Sequence, residues 1–143
     1  MSGRPEPLVF FTDRDLGKRF PDILSAAGLS VERHLDHFRH DCPDDVWLEQ
    51  VGNRGWIAVT HDQNIRYKPN ELAAVVRHHV RLLVVVGKAP HAQLAESFVN
   101  AYSKIEVFSA SHVPPWIAKV YRPAPAALAK RPHAAGQIVL WYP

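Results

Sequence analysis

With a single cysteine, Cys42, in 143 residues, the chain can form no internal disulfide framework. A lone free thiol suits a reducing cytosol. No apolar run approaches the ~20 residues of a membrane span. The opening Met1-Ser-Gly-Arg-Pro-Glu-Pro7 lacks the apolar centre of a secretion signal. A cytoplasmic protein with no membrane partner is therefore expected. Glycines number only seven, and none builds a phosphate-cradling loop or a dinucleotide fingerprint. NTPase and Rossmann-type oxidoreductase readings fall away for that reason. Cys42 has no oriented base identifiable in sequence, so a thiol nucleophile has no support.

A strong excess of either charge is also missing: the net charge is +3 and the pI about 9.2. The balance changes if Asp13, Asp15, Asp44, Asp45 and Asp62 cluster. The nine other acids then face seventeen Lys and Arg. A focused acidic site in a basic surround suits a polyanion held over metal ions; an evenly mixed, solvated surface is the plain alternative.

What is present is an alternation of short apolar runs and amphipathic stretches. After a flexible lead over 1–7, Leu8-Val-Phe-Phe-Thr12 reads as a buried strand ending in Asp13, with Asp15 two residues on. Leu16, Phe20, Ile23, Leu24 and Ala27 fall at helical spacing, and Gly28 stops that helix. Leu29 to Leu35 reads as a weaker strand, followed by a polar stretch to Pro43. Asp44 caps a helix carrying Trp47, Leu48 and Val51. Trp56-Ile-Ala-Val-Thr60 is again a short buried strand, and it delivers His61 and Asp62 just beyond its end. Pro69 opens a helix with Leu72, Val75, Val76 and His79. Arg81-Leu-Leu-Val-Val-Val-Gly87 is the most strand-like run, and a helix from Pro90 carries Leu94, Phe98, Tyr102 and Ile105.

Repeated strand–helix units imply an α/β fold, three-layer α/β/α with a mostly parallel sheet. The last 30 residues hold six of the twelve prolines, with 116–121 and 137–142 as candidate strands. A single domain is expected, its core over about 8–108 and a Pro-rich C-terminal extension over about 109–143, as an appendage or edge hairpin.

Asp13, Asp44 and Asp62 arrive from three segments at what would be the carboxyl edge of the sheet, where open α/β sheets bind ligands. Clustered carboxylates repel unless a cation neutralises them, and hard oxygen donors select Mg²⁺ or Mn²⁺. Such an ion polarises a phosphodiester and generates a hydroxide. Taken singly, Asp44 reads equally as a helix cap and Asp13 and Asp62 as turn formers. Arg66, Tyr67, Lys68 and Arg77, downstream of Asp62, read as a phosphate rim with an aromatic for base stacking, or as a solvated face. His34, His37 and His40 are spaced by three, but the second ligand pair of a usual zinc site is absent from the sequence.

Thr12-Asp13-Arg-Asp15-Leu-Gly17, Pro43-Asp44-Asp-Val-Trp47, and Gly55-Trp-Ile-Ala-Val-Thr60-His-Asp62 with Ile65-Arg66 together resemble the PIN-like nucleases. More narrowly, they resemble the branch that includes PIN-like VapC-type toxins of toxin–antitoxin pairs. The resemblance covers roughly 8–108 and implies Mg²⁺- or Mn²⁺-dependent cleavage of RNA. It makes Asp13, Asp44 and Asp62 catalytic metal ligands, with the adjacent Asp45 able to substitute for Asp44 or assist it, and Asp15 as a further ligand. It also implies an RNA substrate, a protein antitoxin and a homodimer as candidate partners. Related sequences often carry another acid where this chain has Gln63 and Asn64. The fourth strand ends in Gly87-Lys88-Ala89, without an acid. Two alternatives stay open: a non-catalytic RNA- or protein-binding module, and a phosphoacceptor domain using Asp13, Asp15 and Asp62.

Overall fold

In the computed structural model, which describes residues 7–143, a six-stranded sheet separates two helical layers. The flexible lead expected over 1–7 lies, apart from Pro7, outside the described residues.

The strands are β1 (Val9–Thr12), β2 (Ser30–Arg33), β3 (Ile57–Thr60), β4 (Arg81–Val85), β5 (Trp116–Val120) and β6 (Ile138–Tyr142). Their spatial order is β2-β1-β3-β4-β5-β6. The first five run parallel, and β6 closes the far edge antiparallel to β5. Strand side chains alternate between the two faces. Phe10, Ile57, Val59, Leu83 and Val85 therefore belong to one core, and Phe11, Ala58, Leu82 and Val84 to the other. Burial on both faces is why these runs are continuously apolar rather than alternating.

The first core is covered by α1 (Arg19–Ala26), α5 (His91–Asn100) and α6 (Tyr102–Ser111), through Phe20, Leu24, Leu94, Phe98 and Ile105. The second is covered by α3 (Asp44–Arg54) and α4 (Pro69–Arg77), through Trp47, Leu48, Val51, Ala74 and Val75. These two helices approach closely at Gly52, where an added Cβ would lie 2.4 Å from the His78 carbonyl oxygen. Short α2 (His34–His37) and α7 (Pro125–Lys130) complete the chain. No helix among the described residues is long and apolar enough to cross a membrane.

Four local expectations change. The strand expected over 29–35 stops at Arg33, and His34 turns the chain into α2. The long helix from Pro90 is two helices that meet at Ala101. Asp44 is the first residue of α3, not its cap; Pro43 holds the cap position, and no side chain caps the helix. Finally, the sheet continues past residue 108. Trp116, Ile117 and Ala118 of β5 are fully buried between the layers, so the stretch expected to be an extension supplies part of the core.

Candidate active site

The strand order reverses direction at β1, between β2 and β3, which opens a crevice beyond the carboxyl ends of β1 and β3. Asp13 follows β1 directly and stays beside β3, its backbone N–H donating to the Val59 carbonyl at 2.9 Å. A 3-10 turn over Arg14–Leu16 then brings Asp15 back to the same point. Thr60, the last residue of β3 and fully buried, holds the two acids together. Its hydroxyl lies 2.9 Å from Asp13 Oδ2 and 3.1 Å from Asp15 Oδ2. The other Asp13 oxygen accepts from the Arg14 amide at 2.7 Å, and the His61 amide donates to Asp15.

Asp13 is only 6% exposed. Burial first, and then the neighbouring Asp15 charge, push its carboxyl up to about 7, against the pull of the Thr60 hydrogen bond. Asp44 adds to the repulsion. Burial also raises Asp15, which feels Asp62 as a further like charge. The four carboxylates therefore form one electrostatic cluster, although they come from three segments.

Two of them already have cationic partners. Arg14 donates to Asp44 Oδ1 at 3.3 Å, and Lys68 donates to Asp62 Oδ2. That bond raises the Lys68 pKa. Asp44 also accepts from the Trp47 indole at 2.9 Å, and Asp62 from the Asn64 amide at 2.9 Å. Arg14 reaches further, donating to the Cys42 carbonyl at 3.3 Å and to His34 Nε2 at 2.8 Å. Burial, followed by that guanidinium, lowers the His34 pKa.

Asp13, Asp15, Asp44 and Asp62 are thus brought to one edge, but Asp45 is not. It is exposed and turns with Arg77 into a groove between α3 and α4, where Glu49, Asn70 and His78 join them. Neither residue has a hydrogen bond or ion pair to the acids among the described residues. Lys68 does border the cluster through Asp62, and Arg66 and Tyr67 precede it on the turn between Asp62 and α4. His37 bonds Glu32 at 2.7 Å, separately from His34, and His40 is exposed.

Sequence reasoning assigned no role to Arg14, Thr60 or His61. The signal for Thr60 was a hydroxyl closing an otherwise apolar strand. Arg14 lies between two acids in the first motif. His61 donates from Nε2 to the Gly87 carbonyl at 3.0 Å, and Gln63 donates to the Val85 carbonyl at 2.7 Å. Together they tie the β3 end to the β4 end where an acid is lacking.

A hard divalent cation fits the donor chemistry of Asp13 and Asp15: two carboxylates share one hydroxyl, and among the described residues no cationic side chain relieves the buried Asp13. Among the described residues, no three His, Cys, Asp or Glu side chains close around one point. Asp44 and Asp62 are turned instead to Arg14 and Lys68.

A family model described as a PIN like domain matches residues 8–87, more than half of the chain and every acid of the cluster. No curated protein and no solved structure matches. On the fold and this match, the chain belongs to the PIN-like domain family, whose fold is of the nuclease type.

Proposed function

We propose that the protein is a metal-dependent endoribonuclease of the cytoplasm, a single domain acting as the toxin component of a toxin–antitoxin pair. One observation carries the nuclease reading: a buried carboxyl, Asp13, is held against a second one, Asp15, by a shared hydroxyl and without a countercharge. A protein gains nothing for stability from that arrangement. It suits the charge of a bound ion.

Asp13 and Asp15 would hold Mg²⁺ or Mn²⁺, with Asp44 and Asp62 completing the set. The ion would supply polarisation of the phosphodiester and a bound water made more acidic than bulk water. The chain's own residues do the rest. Thr60 fixes the two inner carboxylates by donating to them. Arg14 and Lys68, pairing with Asp44 and Asp62 when no substrate is present, are placed to turn to RNA phosphate. Arg66 and Tyr67 continue that rim. His61 and Gln63 anchor the β3 end so that the acids keep their positions.

The test is cleavage of single-stranded RNA with and without Mn²⁺, comparing the wild type with Asp13→Asn. Loss of metal-dependent cleavage in the variant is the expected result, and cleavage unchanged by both EDTA and the substitution defeats the reading. The antitoxin part of the proposal is tested by growth arrest on expression, relieved by a neighbouring small open reading frame.

A specific observation favours a second reading, a non-catalytic PIN-like module. Arg14 and Lys68 already neutralise two of the four acids, and among the described residues no three donors converge. RNA binding that is indifferent to metal and to Asp13 would select it.

A further inference from the structure

The chain beyond the family match returns to the turn that follows Asp62. β6 pairs with β5 in the register Lys119 to Val139 and Ala118 to Leu140, then slips by one residue at Ile117/Ala118. An extra residue in one strand re-aims the side chains around it. Consecutive residues Trp141 and Tyr142 consequently both pack toward the α3–α4 side of the sheet, where strict alternation would send only one. On that side Trp141 meets the turn that follows Asp62. The Tyr67 ring stands edge-on to the Trp141 ring at a centroid distance of 5.7 Å and an interplanar angle of 84°.

Two cations sit on these rings. Lys119 Nζ lies 4.1 Å from the Trp141 centroid, and the Arg66 guanidinium lies 5.6 Å from Trp141 and 5.9 Å from Tyr67. Neither cation has an ion pair with a carboxylate among the described residues. Tyr67 itself is 67% exposed. Were the cluster only a seal over the sheet edge, its large aromatic would be covered and its charges matched. Instead it presents an open ring face flanked by unmatched positive charge, one residue from the lysine that holds Asp62.

We propose that Tyr67 and Trp141, with Arg66 and Lys119, form a stacking subsite for one unpaired base of single-stranded RNA. The base lies on Tyr67, whose ring is held by its T-shaped contact with Trp141. Arg66 and Lys119 hold the flanking phosphates, and the strand continues past Lys68 to the acids. The inference rests on the nuclease reading for its substrate and adds that β5 and β6, outside the matched region, select unpaired RNA. The chemistry is that of sequence-tolerant single-strand binding, in which π-faces take bases and basic residues track the backbone.

The experiment measures fluorescence anisotropy of a labelled single-stranded RNA decamer, and of the same decamer in a duplex, on the full chain in EDTA. Cleavage is followed separately in Mn²⁺. Tyr67→Ala should weaken single-strand binding about tenfold, and Tyr67→Phe should restore it, because stacking needs the ring and not the hydroxyl. Lys119→Ala should lower the slope of log affinity against log salt by about 0.7. In Mn²⁺, Tyr67→Ala should raise KM with kcat kept. Binding unchanged by Tyr67→Ala, or weakened equally for the duplex, overturns the subsite. If that happens while Asp13→Asn still abolishes cleavage, the nuclease reading stands alone. If Tyr67→Ala weakens binding but no RNA is cut by the wild type, the subsite stands and the nuclease reading falls. A wild type that binds no single-stranded RNA overturns both.

Discussion

Replacing Asp13 with Asn should stabilise the metal-free protein at neutral pH and abolish the metal-dependent cleavage proposed above, and the pH dependence of the first effect follows from the structure. The folded carboxyl titrates at about 7 and the unfolded one at its ordinary 3.8, because burial and Asp15 disfavour the anion. Below 3.8 both states hold the proton, and the folded protein carries no penalty. Between 3.8 and 7 the unfolded chain ionises while the folded chain keeps its proton, so stability falls as pH rises and levels off above 7. At roughly 1.4 kcal/mol for each pKa step, the full loss is about 4 kcal/mol, an upper bound. Asn cannot ionise, but it gives up one of the two acceptors that meet Thr60 and the Arg14 amide, a cost of about 1 kcal/mol. The variant should therefore be about 3 kcal/mol more stable at pH 8 in EDTA, or some 6–12 °C in Tm for a chain of this size. Below pH 4 it should be slightly less stable than the wild type. Urea titrations at pH 3.5, 6 and 8 measure the crossing. A variant equal to or weaker than the wild type at pH 8 would refute the argument that Asp13 is an uncompensated buried charge. Added Mn²⁺ should stabilise the wild type selectively, since it supplies the missing countercharge.

Thr60→Val keeps the shape of the strand end but removes the hydroxyl that lowers both Asp13 and Asp15. The acid limb of the pH–rate profile should move upward, with a stability loss of about 1–3 kcal/mol from the unmade hydrogen bonds. An unmoved profile would show that the hydroxyl does not hold the acids. Asp62→Asn removes the charge facing half-exposed Lys68 and should cost no more than about 1 kcal/mol. Calorimetry with a non-cleavable RNA analogue should nevertheless show weakened metal binding; intact metal affinity and cleavage would leave Asp62 a turn former. Gly136→Ala places a Cβ 1.8 Å from the Tyr121 carbonyl oxygen, against backbone that has little freedom to yield. Thermal melting should show a loss above about 3 kcal/mol, and a near-neutral result would mean that the approach to β6 is not tightly held. Truncation at residue 110 removes the buried Trp116, Ile117 and Ala118, and a fragment that melts like the full chain would contradict the continuity of the core.

The sequence by itself determined the strands and the layers. Runs such as Phe10-Phe11 and Ile57-Ala58-Val59 are apolar on both faces, and only a sheet covered on both sides buries them. Helical spacing of Phe20 and Leu24, or of Trp47, Leu48 and Val51, then provides the covers. It also placed Asp13 and Asp62 just past strand ends, because the apolar run stops within two or three residues before each. Local pattern did not reach the break at Ala101, since the apolar spacing runs on through it to Ile105. It named 116–121 as a candidate strand but not its burial, which depends on β4 and β6 lying on either side of β5.

At the site, sequence named the acids but not their pairing. Whether Asp44 or Asp45 faces inward depends on how α3 is rotated against β1, which Trp47 and Leu48 set by packing into the second core. Arg77 was near Asp62 in sequence, but α4 carries it away along its length. Thr60, Arg14 and His61 gained their roles only when the strand order put β1 beside β3. Trp141 lies about eighty residues from Asp62, and only the pairing of β6 with β5 at the sheet edge brings it to Tyr67, while the slip in register turns Tyr142 to the same side. Periodicity is a property of neighbours along the chain, so it fixes which residues are buried. Which carboxylate meets which hydroxyl, and which ring meets which cation, depends on contacts between segments distant in sequence, and the fold alone decided those.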